Sequence, residues 1–243
     1  MTRGSSGLHA GGGGAHLRPI PRLRTTLGWR EVPIDPVDEP MVRVTDIGGR
    51  ILEDPRYHLL GMPGAEPGCW VRDGVALRLE RAARGLPDGL ALVVWDGHRT
   101  LETQGALFDD FVGELVARHP DWSPDAIEEE AARYVTPPSQ SRYTPPPHLT
   151  GGAVDLTLAD GDGRQLDLGT PFDAFVPEAG TRALEGGDSP ARDLRRILFW
   201  AMSGQGFTSY AEEWWHFDFG DQFWGLVAER PARYEGVAAV SAA

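Results

Sequence analysis

The chain has 243 residues, with 23 basic side chains against 36 acidic ones, seven His and a formal net charge of −13 at pH 7. The basic residues are all Arg; Lys and Asn are absent, and Cys69 is the single Cys. Without Lys there is no P-loop phosphate cradle, no Lys Schiff base and no Ser-Lys acyl transfer, and one Cys excludes internal disulfides and Cys-rich zinc modules.

The acidic balance argues against a nucleic-acid partner. No apolar run approaches the roughly 18 residues of a membrane-spanning helix, so no membrane association is expected. Residues 1 to about 25 are rich in Gly and Ser with scattered Arg, and are expected to form a disordered extension. His9 and His16 lie there and are read as bystanders. That stretch lacks the apolar core of a secretory signal, which sets the expected location as the cytoplasm. Residues 26–243 are expected to fold as a single domain, long enough for a substantial core.

Residues 29–68 carry many Pro and Gly, which predicts loops with short strands near Val42–Val44 and Arg50–Leu52. Asp73 is placed to cap a helix through about Arg84, stopped by Gly85. Leu90 to Trp95 is an unbroken apolar run of strand length, ending in Asp96-Gly97-His98-Arg99. Thr100 caps a long helix whose stripe includes Leu107, Phe111, Leu115 and Val116. Ser123-Pro124 opens another helix to about Tyr134. A Pro-rich loop leads to a strand over roughly Gly152–Leu158, with Ala153, Asp155 and Thr157 on one face. Gly161-Asp162-Gly163 suits a hairpin turn, Ser189-Pro190 opens a last helix to about Met202, and an aromatic strand runs from Trp214 to Phe219. Helices and strands do not alternate regularly. The expected fold is therefore α+β, with a small, mostly antiparallel sheet flanked by helices.

Two segments place polar groups where strands are otherwise apolar: His148-Leu-Thr-Gly-Gly-Ala-Val-Asp155 and Glu213-Trp-Trp-His216. A carboxylate within a buried strand costs several kcal/mol unless it is paired or coordinated. His148, His216 and a divalent cation would satisfy Asp155. Two imidazoles and a carboxylate form the ligand set of a catalytic zinc site with an open position for water, whose pKa the metal lowers from ~16 towards ~7. A second carboxylate must then take the proton, and Glu213 lies three residues before His216. On a straight strand these two would face opposite ways, so the chain must bend near Glu213. Singly, either His is more often a satisfied core or surface residue; the joint spacing reverses that weighting.

His148-x6-Asp155 with Gly151 and Ala153 between, followed by Glu213-x-Trp215-His216, resembles the zinc D-alanyl-D-alanine peptidases, and among them the VanX-type dipeptidases. Asp155-Leu-Thr-Leu158, Gly169-Thr-Pro-Phe-Asp173 and Trp95-Asp-Gly-His-Arg99 add to the likeness, which spans about residues 42 to 225. The resemblance implies a zinc metallopeptidase with one zinc per chain, held by His148, Asp155 and His216, with Glu213 as general base. It further implies that Arg99 stabilises the oxyanion, that Asp173 holds the free ammonium of a small dipeptide, and that the chain forms a homodimer. The family's Ser two residues before the first His is Pro146 here, which bears on substrate contacts, and His98 stands where the dipeptidases more often have Tyr.

Other readings stay beside this one. Arg99 could form an ordinary ion pair with Asp96 or Glu102, Asp173 could serve a turn or helix cap, and Cys69 is simplest as a small buried hydrophobe. A cell-wall carboxypeptidase acting on longer peptides would share the site. So would a protein whose substrate has shifted to natural-product peptides, or a metal-binding module without catalysis. A facial-triad Fe(II) oxygenase also uses two His and a carboxylate, but with its first two ligands two residues apart rather than seven.

Overall fold

The structure, a computed structural model, describes residue 14 and residues 16–240. Along the chain run β1 (Met41–Arg43), β2 (Ile51–Glu53), α1 (Arg56–Leu59), β3 (Trp70–Arg72), α2 (Asp73–Gly85), β4 (Ala91–Asp96), α3 (Leu101–Arg118) and α4 (Pro124–Tyr134). They are followed by β5 (Ala153–Ala159), α5 (Pro190–Ser203), β6 (Thr208–Ser209), β7 (His216–Asp218) and α6 (Gln222–Ala228). Five strands form the central sheet in the order β2-β4-β5-β7-β6; β2 and β4 are parallel and the other neighbours antiparallel. A separate antiparallel pair joins β1 to β3. The α+β architecture with a mostly antiparallel sheet is thus the one the sequence predicts.

Local signals explain most boundaries. Thr100, Ser123 and Ser189 each accept a hydrogen bond from the backbone N–H three residues on, satisfying a donor that the first helical turn leaves unpaired. Pro124 and Pro190 occupy the first helical position, where no N–H is needed. Several boundaries differ from expectation, among them the end of α2, which includes Gly85. Asp73 is inside α2 rather than its cap, where its negative charge complements the positive end of the helix dipole. The aromatic strand starts at His216, not Trp214, because Trp214 and Trp215 form a turn.

One apolar core unites the inner faces of β4 and β5 with α2 and α5. It includes Val75 and Leu79, Leu92 and Val94, Val154, Leu156 and Leu158, and Leu198 and Met202. Cys69 sits within it, as do Trp214, Trp215, Phe217, Phe219 and Trp224. Phe223 is buried outside that cluster. A second cluster ties the α3–α4 hairpin together through Leu107, Phe111, Leu115, Ile127 and Ala131, and reaches Tyr57 in α1. Between the sheet and that hairpin lies the polar cleft described below.

Of the extension expected to be disordered, residues 1–13 and 15, with His9, lie outside the described residues. From Leu17 the chain is held against α5. Ile20 is 1% exposed, its N–H donates to Glu185 and its carbonyl accepts from Arg182. The Arg18 guanidinium stacks 3.4 Å over the Trp200 ring, whose N–H donates to the Arg18 carbonyl. Burial of one branched side chain and hydrogen bonds to the Leu17, Arg18 and Ile20 carbonyls supply what the Gly-rich composition lacks.

Candidate metal centre and active site

Three adjacent strands bring acidic and imidazole groups into one row. Asp155 pairs across the sheet with His216 on one side and with Asp96 on the other. The second pairing depends on an irregularity in β4, where two residues, Trp95 and Asp96, oppose Asp155 alone. Such a bulge re-aims a side chain, and here it turns Asp96 onto the face of Asp155. His148 reaches the row from a 3₁₀ turn, Pro147–Thr150, closed by Gly151 at φ 71. That left-handed conformation suits Gly. The Arg99 N–H donates to the His148 carbonyl, at 3.2 Å, and the His98 N–H to the Trp70 carbonyl, at 2.6 Å. These bonds fix the loop after β4 against the His148 turn and against β3. Gly97 is required there, since a Cβ would collide with the Trp70 carbonyl.

The two imidazoles have defined roles. His148 Nδ1 lies 2.8 Å from the Gly97 carbonyl, which can only accept, so Nδ1 carries the proton and Nε2 the lone pair. His216 Nε2 donates to Asp218 Oδ1 at 2.7 Å, which leaves the lone pair on Nδ1. Those two free nitrogens face each other at 3.1 Å. Asp155 Oδ1 is 3.0 Å from His216 Nδ1, and its Oδ2 is 3.4 Å from His148 Nε2. Three lone-pair donors this close repel one another unless positive charge lies among them. His148, Asp155 and His216 also form the single group of three potential ligands found among the described residues. The donor set fits a divalent cation, with both imidazoles oriented from behind as metal-binding His residues usually are.

The electrostatics agree with that fit. Burial disfavours a charged His216 ring, yet Asp218 and Asp155 raise its pKa well above 6.5. Burial would push Asp155 up, but His148 and His216 hold its carboxyl well below the usual range. The site calls for a positive charge. Glu213 behaves differently: burial raises its pKa well above 4.5, opposed by His216 and reinforced by Asp155 and Asp173. The turn at Trp214-Trp215 provides the expected bend, and Glu213 and His216 line the same cleft of about 470 Å³. The Thr181 hydroxyl pins that bend by sharing its proton between the Tyr210 and Glu213 carbonyls, and Trp214 anchors it through Thr170.

Arg99 joins the remaining groups. Its Nε donates to Asp96 at 2.8 Å, Nη1 to Gln104 at 3.1 Å, and Nη2 to Tyr57 at 3.2 Å and Asp155 at 3.1 Å. The ordinary ion pair with Asp96 is therefore present, together with contacts that reach the ligand set. A guanidinium has five N–H groups; these bonds use four and leave one on Nη1, and Arg99 lines this cleft. Asp173 accepts from the Tyr57 hydroxyl at 3.0 Å and has φ 56, a left-handed conformation that is uncommon outside Gly. Burial pushes its carboxyl up to about 7, against the pull of Arg99.

The structure thus gathers all six residues singled out by sequence, His148, Asp155, His216, Glu213, Arg99 and Asp173, around one cleft. Pro146 is buried and leads into the His148 turn. Sequence reasoning missed three contributors. Asp218 was legible as His-x-Asp on one strand face; Gln104, just inside α3, and Tyr57, in a single-turn helix, carry no comparable signal. Residues Leu23–Arg30 form a further wall of the cleft, anchored by Trp29 against Phe223 at 5.1 Å.

Residues 69–235 match a protein-family model described as D-ala-D-ala dipeptidase. A D-alanyl-D-alanine dipeptidase of Synechocystis sp. is 29% identical over 216 residues, covering 79% of this chain and 87% of the relative. One of Escherichia coli is 32% identical over 131 residues, covering 54% and 55%. Among solved structures, VanYB in complex with D-alanine-D-alanine aligns with a TM-score of 0.42 and 21% identity, over 67% of this chain and 79% of that one. A mutant of the vancomycin resistance D,D-pentapeptidase VanY in complex with Zn(II) aligns with a TM-score of 0.40 and 23% identity, over 63% and 75%.

Proposed function

Because this chain belongs to the D-ala-D-ala dipeptidase family and is a peptidase, we propose that it hydrolyses the peptide bond of a free small dipeptide, D-alanyl-D-alanine foremost, using one zinc ion. The observation that carries this reading is the convergence of His148 Nε2, His216 Nδ1 and Asp155, with the other nitrogen of each ring tied to an acceptor. The resemblance extends the proposal to a homodimer, and the composition of the N-terminal stretch extends it to a cytoplasmic location. No described helix is long and apolar enough to cross a membrane.

His148, Asp155 and His216 would hold the ion, and zinc so held lowers the pKa of a water and polarises a carbonyl. Glu213 faces the same space with a pKa raised by burial, which suits a group that must accept a proton and then give it up. It takes the proton from the attacking water and passes it to the leaving amine. Arg99 directs its remaining Nη1 N–H at the carbonyl oxygen as negative charge grows there; one such donor is typically worth about 10²–10³ in kcat. Asp173 accepts the substrate ammonium, so a free amine is required for full binding.

The test is an assay of the zinc-loaded protein on D-alanyl-D-alanine and on its N-acetyl derivative. Turnover of the free dipeptide with little of the acylated one is expected. Preference for the acylated compound would replace this reading with a carboxypeptidase, and turnover of neither would remove both.

A further inference from the structure

Tyr57 touches the two groups proposed to meet the substrate's ammonium and its scissile carbonyl. It lies in α1, the single turn that follows β2, and is 3% exposed. Its hydroxyl has one proton and two lone pairs, while a guanidinium has no acceptor. Arg99 Nη2 therefore donates to the Tyr57 oxygen, at 3.2 Å, and the phenolic proton goes to Asp173 Oδ2, at 3.0 Å. The polarity of this relay is fixed: Arg99 to Tyr57 to Asp173. The Arg99 guanidinium also lies 4.6 Å over the Tyr57 ring, and Phe172 packs against the ring at 5.7 Å. The phenol is held on its face, its edge and its oxygen.

A dipeptide imposes a span on this arrangement. Its ammonium nitrogen and scissile carbonyl carbon are separated by one Cα, through bonds of about 1.5 Å each. A site that binds both must hold its anion and its oxyanion donor at a fixed offset. Asp173 sits in a loop at φ 56, a conformation few non-Gly residues adopt and one that contacts such as the Tyr57 hydrogen bond must hold. Resting on the dipeptidase reading above, we infer that Tyr57 is the positioning and specificity-determining residue that sets this span, through a hydroxyl hydrogen-bonded to Arg99 on one side and Asp173 on the other. The bond leaves Asp173 Oδ1 for the ammonium. It also supports the charge that an ammonium needs: burial pushes the Asp173 carboxyl upward, and the Tyr57 hydrogen bond is one of the contacts that pull it back.

Tyr57→Phe removes the hydroxyl and leaves the ring packing in place. Steady-state kinetics on D-alanyl-D-alanine and N-acetyl-D-alanyl-D-alanine, with zinc content and a thermal melt, form the test. KM for the free dipeptide should rise roughly tenfold with kcat within about threefold, as expected for one lost hydrogen bond to a charged group. The preference for the free amine should narrow by a similar factor, with zinc still bound. In an Asp173→Asn background, which serves if the single variant folds poorly, Tyr57→Phe should raise KM no further. An unchanged KM and preference in an active protein would overturn the role of Tyr57 and leave the dipeptidase reading standing. A fall in kcat alone, or loss of zinc, would also overturn it, because the hydroxyl would then act on the chemistry or the metal. Wild-type protein inactive on both compounds would overturn the reading and this inference together.

Discussion

His216 Nε2 donates a 2.7 Å hydrogen bond to Asp218 Oδ1, two residues further along the same strand. Because side chains alternate on a strand, both point to the face that carries Asp155, and the carboxylate sits directly behind the imidazole. The hydrogen bond to Asp218 thus turns the other ring nitrogen, Nδ1, towards the candidate ion. Asp218 is buried, and its neighbour across the sheet is Ala153, which leaves room for the pair.

Asp218→Asn should weaken zinc binding roughly 10–100-fold. Competition against a chelator of known affinity measures this directly. At saturating zinc, kcat should stay within about tenfold of wild type, since Asp218 does not reach the substrate. Unchanged zinc affinity would show that Asp218 merely fills space behind His216.

Glu213 separates binding from catalysis. It is not one of the three converging donors, so Glu213→Gln should retain zinc and fold normally. Its kcat should drop by about 10²–10⁴, the usual contribution of a positioned general base. Metal analysis beside single-turnover kinetics checks both halves. Turnover near the wild-type rate would remove Glu213 from the reaction.

The Asp173 carboxyl, pushed by burial up to about 7, predicts the shape of the pH profile. Below that pH it is protonated and offers no charge to the substrate ammonium; above it the carboxylate forms. The α-amine of a dipeptide loses its own proton near pH 8. Therefore kcat/KM for the free dipeptide should rise between about pH 6 and 7.5 and fall again above about pH 8. Asp173→Asn should flatten the acid limb. An acid limb that survives this substitution would assign it to another group, with Glu213 the next to test.

Much of this site was legible because its signals are local. The caps at Thr100, Ser123 and Ser189 are single-residue devices, and His148, Asp155, Glu213 and His216 announce themselves as polar groups in apolar strands. What escaped was tertiary. The Tyr57 hydroxyl meets partners 42 and 116 residues away, and nothing in Arg-Tyr-His-Leu foretells that. The bend after Glu213 followed from strand alternation, but its location at Trp214-Trp215 depends on Thr181 and Thr170, which only folding brings near. In the N-terminal segment, averaging over a Gly-rich run leaves Ile20 unremarked, although it is buried in the folded chain beside Arg182 and Glu185.

Ile20 therefore offers a test of whether that segment belongs to the working protein. Its side chain is buried, and the chain it anchors continues into Leu23–Arg30, one wall of the cleft. Ile20→Ala removes buried methyl and methylene groups, a change that costs about 2–5 kcal/mol in a packed core. If the segment unfolds with the rest of the domain, Tm should fall by several degrees, about 2–4 °C per kcal/mol at this size. If it detaches first, Tm will hold while hydrogen exchange quickens across residues 17–30 and KM for the dipeptide rises, because the wall loosens with its anchor. Either pattern ties the segment to the domain. A variant with unchanged melting, exchange and KM would show that the burial of Ile20 contributes nothing to stability or to the cleft.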